Sequence, residues 1–261
     1  MSGRTGPYAI KSNLAFYVDA ANSKSYPGNG SVWNDMSFNQ LNGTLTNSPV
    51  YSTTYAGGIT FNSASLQLFT FPNVAFTTES FVYDFWIKPA SYENSGTGGG
   101  GSWPGMLSTV NIVDYAPLPA QSTGVAIGFY GQGPELAYGA VCTGSTANPA
   151  KALSNWNNGT GSSSPNLSTS SIYNIIVQRN TGTSHLELYV NGVYYNKVYI
   201  PDPNWSMSGS IPLRSSIRST SSPDSLYPNG TYYSIKIYKD KYFTQNEVTQ
   251  NYNALKGRFG L

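Results

Sequence analysis

Cysteine and histidine are almost absent from this chain of 261 residues, which contains one of each, Cys142 and His185. A single cysteine excludes an intrachain disulfide framework and a zinc site built from several cysteines. A single histidine excludes a histidine-rich metal site, and any Ser-His-Asp triad would have to use His185. No nucleophile motif accompanies His185, so we interpret it as a strand histidine paired with a neighbour such as Glu187. Cys142 is interpreted as a lone thiol at a strand end.

Charge is also scarce. Only 10% of the residues are charged, with 14 Lys and Arg against 12 Asp and Glu, whereas an average soluble protein has about 25%. The resulting net charge of +2 gives no basic surface for a polyanion, so we expect no nucleic-acid partner. Apolar runs are far shorter than the roughly 20 residues of a membrane helix, and residues 1–7 contain no apolar export segment. We therefore expect synthesis and folding in the cytoplasm of the cell that makes the chain, without membrane insertion.

Apolar residues instead recur with a period of two. From Phe81 to Ile87, odd and even positions would lie on opposite faces of a strand, with one face in a core. Strand patterns also cover 172–178, 185–190 and 193–195. The Asn191-Gly192 pair between the last two is a strong hairpin signal, because both central residues of a type I′ turn need a positive φ. We predict a three-strand meander over 172–200.

One helix is predicted, at the C-terminal end. Thr244 and Glu247 have the spacing of a capping box, with Phe243 and Val248 as a hydrophobic staple around it. Val248, Tyr252 and Leu255 would form an apolar stripe, and Gly257 would stop the helix. One helix after many strands favours an all-β sandwich with a capping helix over an α/β fold.

Three long polar segments, 94–102, 143–170 and 201–229, separate the strand patterns. Similar short strands continue on either side of each segment, so none of them is interpreted as a domain linker. We predict one domain over residues 1–261.

Several blocks of sequence together resemble the concanavalin A-like lectin/glucanase superfold in its laminin G-like form. The blocks are Leu14-Ala15-Phe16-Tyr17-Val18-Asp19-Ala20, residues 25–28, 33–35 and 42–45, Phe85-Trp86-Ile87-Lys88-Pro89, Leu188-Tyr189-Val190-Asn191-Gly192, residues 235–238 and 243–248, and Asn251-Tyr252-Asn253-Ala254-Leu255-Lys256-Gly257-Arg258-Phe259-Gly260. The first and last blocks are similar to modules of virion structural proteins of tailed phages, particularly phages of cyanobacteria. The resemblance implies a two-sheet antiparallel jelly-roll sandwich, a fold that serves lectins, glucanases and structural modules alike.

The catalytic motif of the enzymatic relatives is missing. Those relatives carry Glu-x-Asp-x-x-Glu on one strand, and retaining hydrolysis needs two carboxyl groups about 5–5.5 Å apart. No glutamate here stands two residues from an aspartate, and Glu79 and Asp84 would lie on opposite faces of one strand. We therefore predict no enzymatic activity and keep a glycoside hydrolase only as a minor alternative.

Calcium is the one cofactor that the resemblance raises, because some laminin G-like and lectin relatives bind it through acidic and amide oxygens. Asp19 and Asp35 are the weak candidate ligands, in the first part of the resemblance. The usual cluster of alternating acids is absent, and such residues in Gly-rich turns more often bond to their own backbone. We favour turn chemistry and predict no cofactor.

Tryptophans mark the long polar segments. Trp103, Trp156 and Trp205 each lie in or beside one of them. Such a ring can stack on a sugar, anchor a protein contact or fill the small core of its own loop. We single out these three residues as weak candidates for partner or ligand contact.

These observations lead to a hypothesis of function. We interpret the chain as a non-enzymatic phage virion structural protein, most simply a capsid decoration module on the virion surface, with other virion proteins of the capsid or tail as partners. The alternative is a carbohydrate-binding adhesin, tail-associated or secreted, that recognises host-surface glycan. No heptads, collagen-like run or stalk-forming repeat indicate a complete tail fibre.

Overall fold

A computed structural model describes residues 8–72, 74, 76, 78–92, 105–108, 111–112, 124–129, 136–142, 150–153, 165–183, 185–199, 212–215, 218–219 and 228–261. The strands in chain order are β1 (Leu14–Asp19), β2 (Val32–Trp33), β3 (Gly43–Thr46), β4 (Val50–Ser52), β5 (Gly58–Phe61), β6 (Leu68–Phe71), β7 (Phe81–Pro89), β8 (Gly105–Ser108), β9 (Asn111–Ile112), β10 (Gly124–Phe129), β11 (Leu136–Cys142), β12 (Ala150–Leu153), β13 (Tyr173–Arg179), β14 (His185–Val190), β15 (Val193–Tyr199), β16 (Leu213–Arg214), β17 (Arg218–Ser219) and β18 (Gly230–Lys239). Short 3₁₀ segments cover Thr54–Ala56 and Ser63–Ser65, and the helix α1 covers Gln245–Lys256.

The strands form two large antiparallel sheets. Sheet A has the order β15-β14-β13-β7-β18-β5-β4, with β1 paired to β18, and sheet B has the order β12-β11-β10-β8-β16-β6-β3-β2. Strands β17 and β9 form a separate parallel pair. The predicted all-β, two-sheet antiparallel sandwich with one C-terminal helix is therefore confirmed. The extent of the single domain over 1–261 stays a prediction.

The core between the sheets explains the alternation of the strands. Phe81, Tyr83, Phe85 and Ile87 of β7 point into it, together with apolar side chains of both sheets. Phe69 of sheet B packs edge-on against Phe61 and Tyr232 of sheet A and meets Phe71 at a tilted angle. Edge-on geometry is one that aromatic pairs prefer. A strand with one face in a core would leave its other face open to solvent. In β7 that other face is buried as well, with Val82, Asp84 and Trp86.

The helix α1 is the cause of this second burial, since it packs on the outer face of sheet A. Its Val248 lies in one apolar cluster with Val82 and Phe243, and its Tyr252 packs on Trp86 in another. The Trp86 and Tyr252 rings are stacked, with centroids 5.6 Å apart and planes at 4°. Sheet A is thus covered on both faces.

The predicted meander is confirmed by β13, β14 and β15, whose pairings are antiparallel. Asn191 and Gly192 have φ angles of 52° and 80°, as a hairpin turn of this kind needs. A bulge at Tyr195, between Leu188 and Tyr189 of the partner strand, interrupts the pairing of β15. Strand β15 ends sheet A on this side.

The start and the end of α1 are confirmed, but the conformation of Gly257 differs from that of a usual glycine stop. Thr244 and Glu247 form both hydrogen bonds of the capping box. The helix ends at Lys256 as predicted, but Gly257 has a right-handed φ of −62°, and the positive φ belongs to Gly260. Successive turn bonds, such as Arg258 N–H to Leu255 O, carry the chain on after the helix and delay the left-handed residue. Among the residues described, no helix is long and apolar enough to span a membrane.

Thr244→Ala tests the N-cap of α1. The Thr244 hydroxyl accepts a hydrogen bond from the Glu247 N–H at 3.3 Å, and loss of such a cap costs about 1 kcal/mol. We expect the free energy of unfolding, measured with urea, to fall by about that amount. Thr249→Ala in the exposed helix interior is the matched control and should not destabilise the protein, since alanine favours helix. Equal midpoints for wild type and Thr244→Ala would contradict the cap.

Candidate functional site

A buried polar network lies between α1 and sheet A. The Asp84 carboxylate on β7 accepts hydrogen bonds from Asn174 Nδ2 at 2.6 Å and from Asn251 Nδ2 at 3.0 Å. The Lys236 ammonium on β18 lies 3.6 Å from Asp84 Oδ2, with both side chains nearly inaccessible to solvent. Asn251 also accepts the N–H of Ile10 at 2.8 Å. The network therefore links the N-terminal segment, three strands and the helix.

This network is built for structure and not for ligand access. Its charged groups face each other in the interior, and Lys236 also lies 5.6 Å from the centre of the Tyr17 ring. Lys236 Nζ and Asn174 Oδ1 are buried without a hydrogen bond, which is a cost that neighbouring contacts must offset. We conclude that the outer face of sheet A is closed beneath α1.

Asp19, one of the two calcium candidates, forms an ion pair with the C-terminal segment. Its Oδ1 accepts from Arg258 Nη1 at 2.8 Å and from the Ala21 N–H at 2.9 Å. Arg258 also donates to the carbonyl oxygens of Tyr55 and Gly57. The cation that Asp19 holds is therefore the Arg258 guanidinium.

Asp35, the second candidate, organises its own turn. Its two carboxylate oxygens accept from the N–H groups of Tyr17, Ser37 and Leu41, each at 2.8 Å, and from the Ser37 hydroxyl at 2.7 Å. The bonds from Ser37 and Leu41 are those of a turn, whereas the bond from the Tyr17 N–H joins this turn to β1. In the part of the chain that the structure describes, no three Asp, Glu, His or Cys side chains are grouped as metal ligands.

A cluster of tyrosines around one glutamate lies at the end of sheet A, beside the start of α1. We call it the Tyr–Glu cluster, and its members are Gln178, Glu187, Tyr189, Tyr194 and Tyr242. Glu187 Oε2 accepts from Tyr242 Oη at 2.8 Å, Tyr189 Oη at 3.1 Å and Gln178 Nε2 at 3.1 Å. Three donors thus hold one oxygen of this carboxylate.

The sheet and the segment before α1 position this cluster together. Alternation on β14 brings Glu187 and Tyr189 to the same face. The Gln178 side chain, on β13, bonds to both the N–H and the C=O of Phe243 at 3.0 and 3.1 Å. This pair of hydrogen bonds to the Phe243 backbone fixes the chain where Tyr242 approaches Glu187.

Burial and the Glu187 carboxylate both disfavour ionised tyrosine here. Burial first, and then the hydrogen bond to Glu187 and its charge, raise the pKa of Tyr242 to about 12. Burial and the charges of Glu187 and Tyr242 raise the pKa of Tyr189 further. Tyr242 and Tyr189 are therefore neutral donors to the carboxylate at ordinary pH.

Part of the cluster is accessible. Tyr189 is buried, whereas 43% of Tyr194 is exposed, and the two rings meet edge-on with centroids 5.4 Å apart. Glu187 is half-buried. Within the described residues its second oxygen, Oε1, accepts no hydrogen bond. The Tyr194 ring and the Glu187 carboxylate thus both pack around Tyr189 in the accessible part of the cluster.

The sequence-predicted contact residues, Trp103, Trp156 and Trp205, lie outside the described residues. His185 is on β14, with its side chain half-buried, and Cys142 ends β11. Glu187 and Tyr189 were already placed on one strand face by alternation, but Tyr242 comes from a distant segment that no local pattern connects to them.

The architecture is similar to that of several solved structures. The binding domain of Paraclostridial Mosquitocidal Protein 1 matches with a TM-score of 0.62 and 14% identity, over 93% of this chain and 52% of that chain. The binding domain of botulinum neurotoxin serotype G matches with a TM-score of 0.61 and 11% identity, over 92% of this chain and 50% of that chain. Trypanosoma rangeli sialidase in complex with sialic acid matches with a TM-score of 0.59 and 12% identity, over 96% of this chain and 34% of that chain.

These similarities establish the fold alone, because the identities are low. The chain has a jelly-roll β-sandwich fold. It spans about half the length of the two toxin binding domains and a third of the sialidase. No protein-family profile matches the chain, and comparison with curated protein sequences gives no match.

Alkaline titration tests the Tyr–Glu cluster. Because the pKa of Tyr242 is raised from 10.0 to about 12, its contribution to stability is fully present below pH 10 and is lost as the pH rises through 12. Tyr242→Phe removes this titration, so the variant should lose less stability than wild type between these pH values. Urea unfolding at a series of pH values between these limits measures the free energy of unfolding of both proteins. Tyr195→Phe, on the bulge outside the cluster, is the control, and identical pH dependence in wild type and Tyr242→Phe would contradict the arrangement.

Proposed function

We propose that this chain is a non-enzymatic structural module of a phage virion, displayed on the particle surface as a capsid decoration protein after synthesis in the host cytoplasm. The proposal starts from the resemblance of the first and last sequence blocks to virion structural modules. The observation that carries it is that these two blocks pack together. Asp19 of the first block and Arg258 of the last form a largely buried ion pair at 2.8 Å.

Aromatic contacts extend the same junction. Phe259 of the last block stacks on Trp86 of a middle block, with ring centroids 4.6 Å apart. Arg258 lies over the Phe259 ring at 5.1 Å, a favourable cation–π geometry. The residues that carry the resemblance therefore act as one packing unit, which supports treating them as a shared module and not as separate common patterns.

The state of the carboxylates supports a function without catalysis. Apart from the exposed Asp240, every described Asp or Glu is held by structural partners. Asp19 and Asp84 pair with Arg258 and Lys236, and Asp35 with its turn. Glu79 pairs with Lys239, and Glu247 pairs with Lys241. Glu187 accepts hydrogen bonds from the tyrosines of the cluster. A glycoside hydrolase would need two carboxyl groups free to share one substrate.

Attachment to other virion proteins is assigned to the long polar segments. Their tryptophans, Trp103, Trp156 and Trp205, would anchor the contact, because buried tryptophans dominate the energetics of protein interfaces. With α1 closing the outer face of sheet A, loops and sheet edges are the surfaces left for a partner on this side of the sandwich.

A second candidate function is carbohydrate binding as an adhesin for host-surface glycan. The Tyr–Glu cluster favours it, since an exposed ring beside a carboxylate oxygen can contact both the apolar face and the hydroxyl groups of a sugar. The similar fold of a sialidase bound to sialic acid supports a sugar-related role only at the level of architecture.

Quantitative mass spectrometry of purified particles tests the virion role. We expect the chain in the phage particles in fixed proportion to the major capsid protein, as a decoration protein must be. Particles that lack it should take up the purified wild-type chain. Replacement of at least one of Trp103, Trp156 and Trp205 by alanine should weaken uptake by about 2 kcal/mol or more, the threshold of an interface hot spot, with the melting temperature nearly unchanged.

The control for this uptake is Phe38→Ala, which removes an exposed ring elsewhere and should bind the particles normally. Absence of the chain from the particles would contradict the virion role. Release of reducing sugar from a polysaccharide, abolished in Glu187→Gln, would contradict the absence of catalysis.

A further inference from the structure

We propose that the Tyr–Glu cluster is a binding subsite for one neutral pyranose unit of an oligosaccharide. Glu187 Oε1 would accept sugar hydroxyl groups, and the Tyr194 ring would contact the C–H face of the sugar. This inference deepens the adhesin candidate and rests on it. It names the residues and the chemical class of the ligand.

The first argument is that the carboxylate is held in place before any ligand arrives. Donors from Tyr242, Tyr189 and Gln178 all converge on Oε2. Oε1, on the same rigid group, is left without a hydrogen bond among the described residues. A fixed acceptor binds a hydroxyl group at a lower entropic cost than a mobile side chain does.

The second argument concerns the type of ligand. The Tyr242 and Tyr189 hydroxyl protons are already used on Glu187, so their oxygens have only acceptor capacity left. Together with Oε1, the cluster offers acceptors to a ligand that brings donors. Sugar hydroxyl groups are such donors, whereas an ionised carboxylate, sulfate or phosphate has none to offer and is repelled by Glu187.

Two further charged or titratable groups lie on this face. Lys197 is exposed and stands opposite Glu187 in the strand register, and the structure forms no ion pair between these two side chains. His185 lies two residues before Glu187 on the same strand face and is half-buried. Lys197 can donate to a sugar oxygen, so the site also has one donor at its border.

The third argument is the position of the ring. Tyr194 lies on β15, the last strand of sheet A, and its ring is 43% exposed. Its edge-on contact with the buried Tyr189 holds it beside the carboxylate. Gln245 at the start of α1 donates to Gly192 O at 2.8 Å, which fixes the adjoining turn against the helix. The ring and the acceptor are therefore positioned by separate rigid elements.

Saturation-transfer NMR with the full chain tests this subsite. The probes are cellohexaose, laminarihexaose and the hexamer of N-acetylglucosamine as neutral sugars, with the hexamer of galacturonic acid, which is charged on every unit, as the anionic arm. We expect at least one neutral probe to bind, and the galacturonic acid hexamer not to bind. Tyr194→Ala should weaken the neutral binding about tenfold, as loss of a central aromatic contact does.

Glu187→Gln is the second variant, because it replaces the free acceptor by an amide that donates. It should also weaken binding, whereas Tyr194→Phe, which keeps the ring, and Phe38→Ala, which removes a ring that is 98% exposed elsewhere, should bind as wild type. Melting temperatures verify that the variants are folded. If Glu187→Gln does not fold, the comparison of neutral-sugar binding between Tyr194→Ala and Tyr194→Phe still tests the subsite.

Three results would overturn the inference. They are no binding of any neutral probe, neutral binding that Tyr194→Ala leaves unchanged, and binding of the galacturonic acid hexamer that Tyr194→Ala abolishes. Neutral binding that the cluster variants do not affect would leave the adhesin candidate standing and remove only this subsite. The virion role is tested separately, by the presence of the chain in particles.

Discussion

The buried pairing of Asp84 with Lys236 is the interaction on which the closure of the structure depends. Two opposite charges lie 3.6 Å apart with almost no exposure, and removal of water from them is costly unless further hydrogen bonds complete their environment. Asn251 of α1 supplies one of those bonds to Asp84. The helix is therefore part of the solvation of the ion pair, and a sandwich without it would leave a charge and Trp86 facing water.

This closure decides where recognition can take place. With α1 and the Asp19–Arg258 ion pair covering the outer face of sheet A, that face is not a groove for a ligand. The accessible features that remain nearby lie at its end, where Tyr194 and Glu187 meet the start of the helix. A sandwich of this kind can be displayed on a particle by its loops while its sheet edge stays free for a small contact, which makes the two candidate functions compatible.

Local signals in the sequence predicted most of the fold and little of the site. Alternation from Phe81 to Ile87 and the Asn191-Gly192 turn depend only on neighbouring residues, so the strands and the hairpin were predicted. The contact of Asn251 with Asp84 joins residues 167 positions apart, and that of Tyr242 with Glu187 joins residues 55 apart. Such pairs are set by docking of α1 onto the sheet, which no local period encodes. Gly257 follows the last helical residue as predicted, but it keeps a right-handed conformation, and the positive φ falls at Gly260.

The most direct test is hydrogen exchange and urea unfolding of Asp84→Ala, with Asp240→Ala, an exposed acid, as the control. If Asp84 closes the structure, its removal leaves Lys236 charged and buried, and the free energy of unfolding should fall by about 3–5 kcal/mol. The amides of α1 should exchange faster than in wild type, while Asp240→Ala should behave as wild type. A loss within about 0.5 kcal/mol, the range of an ordinary surface substitution, with unchanged exchange in α1 would contradict the account.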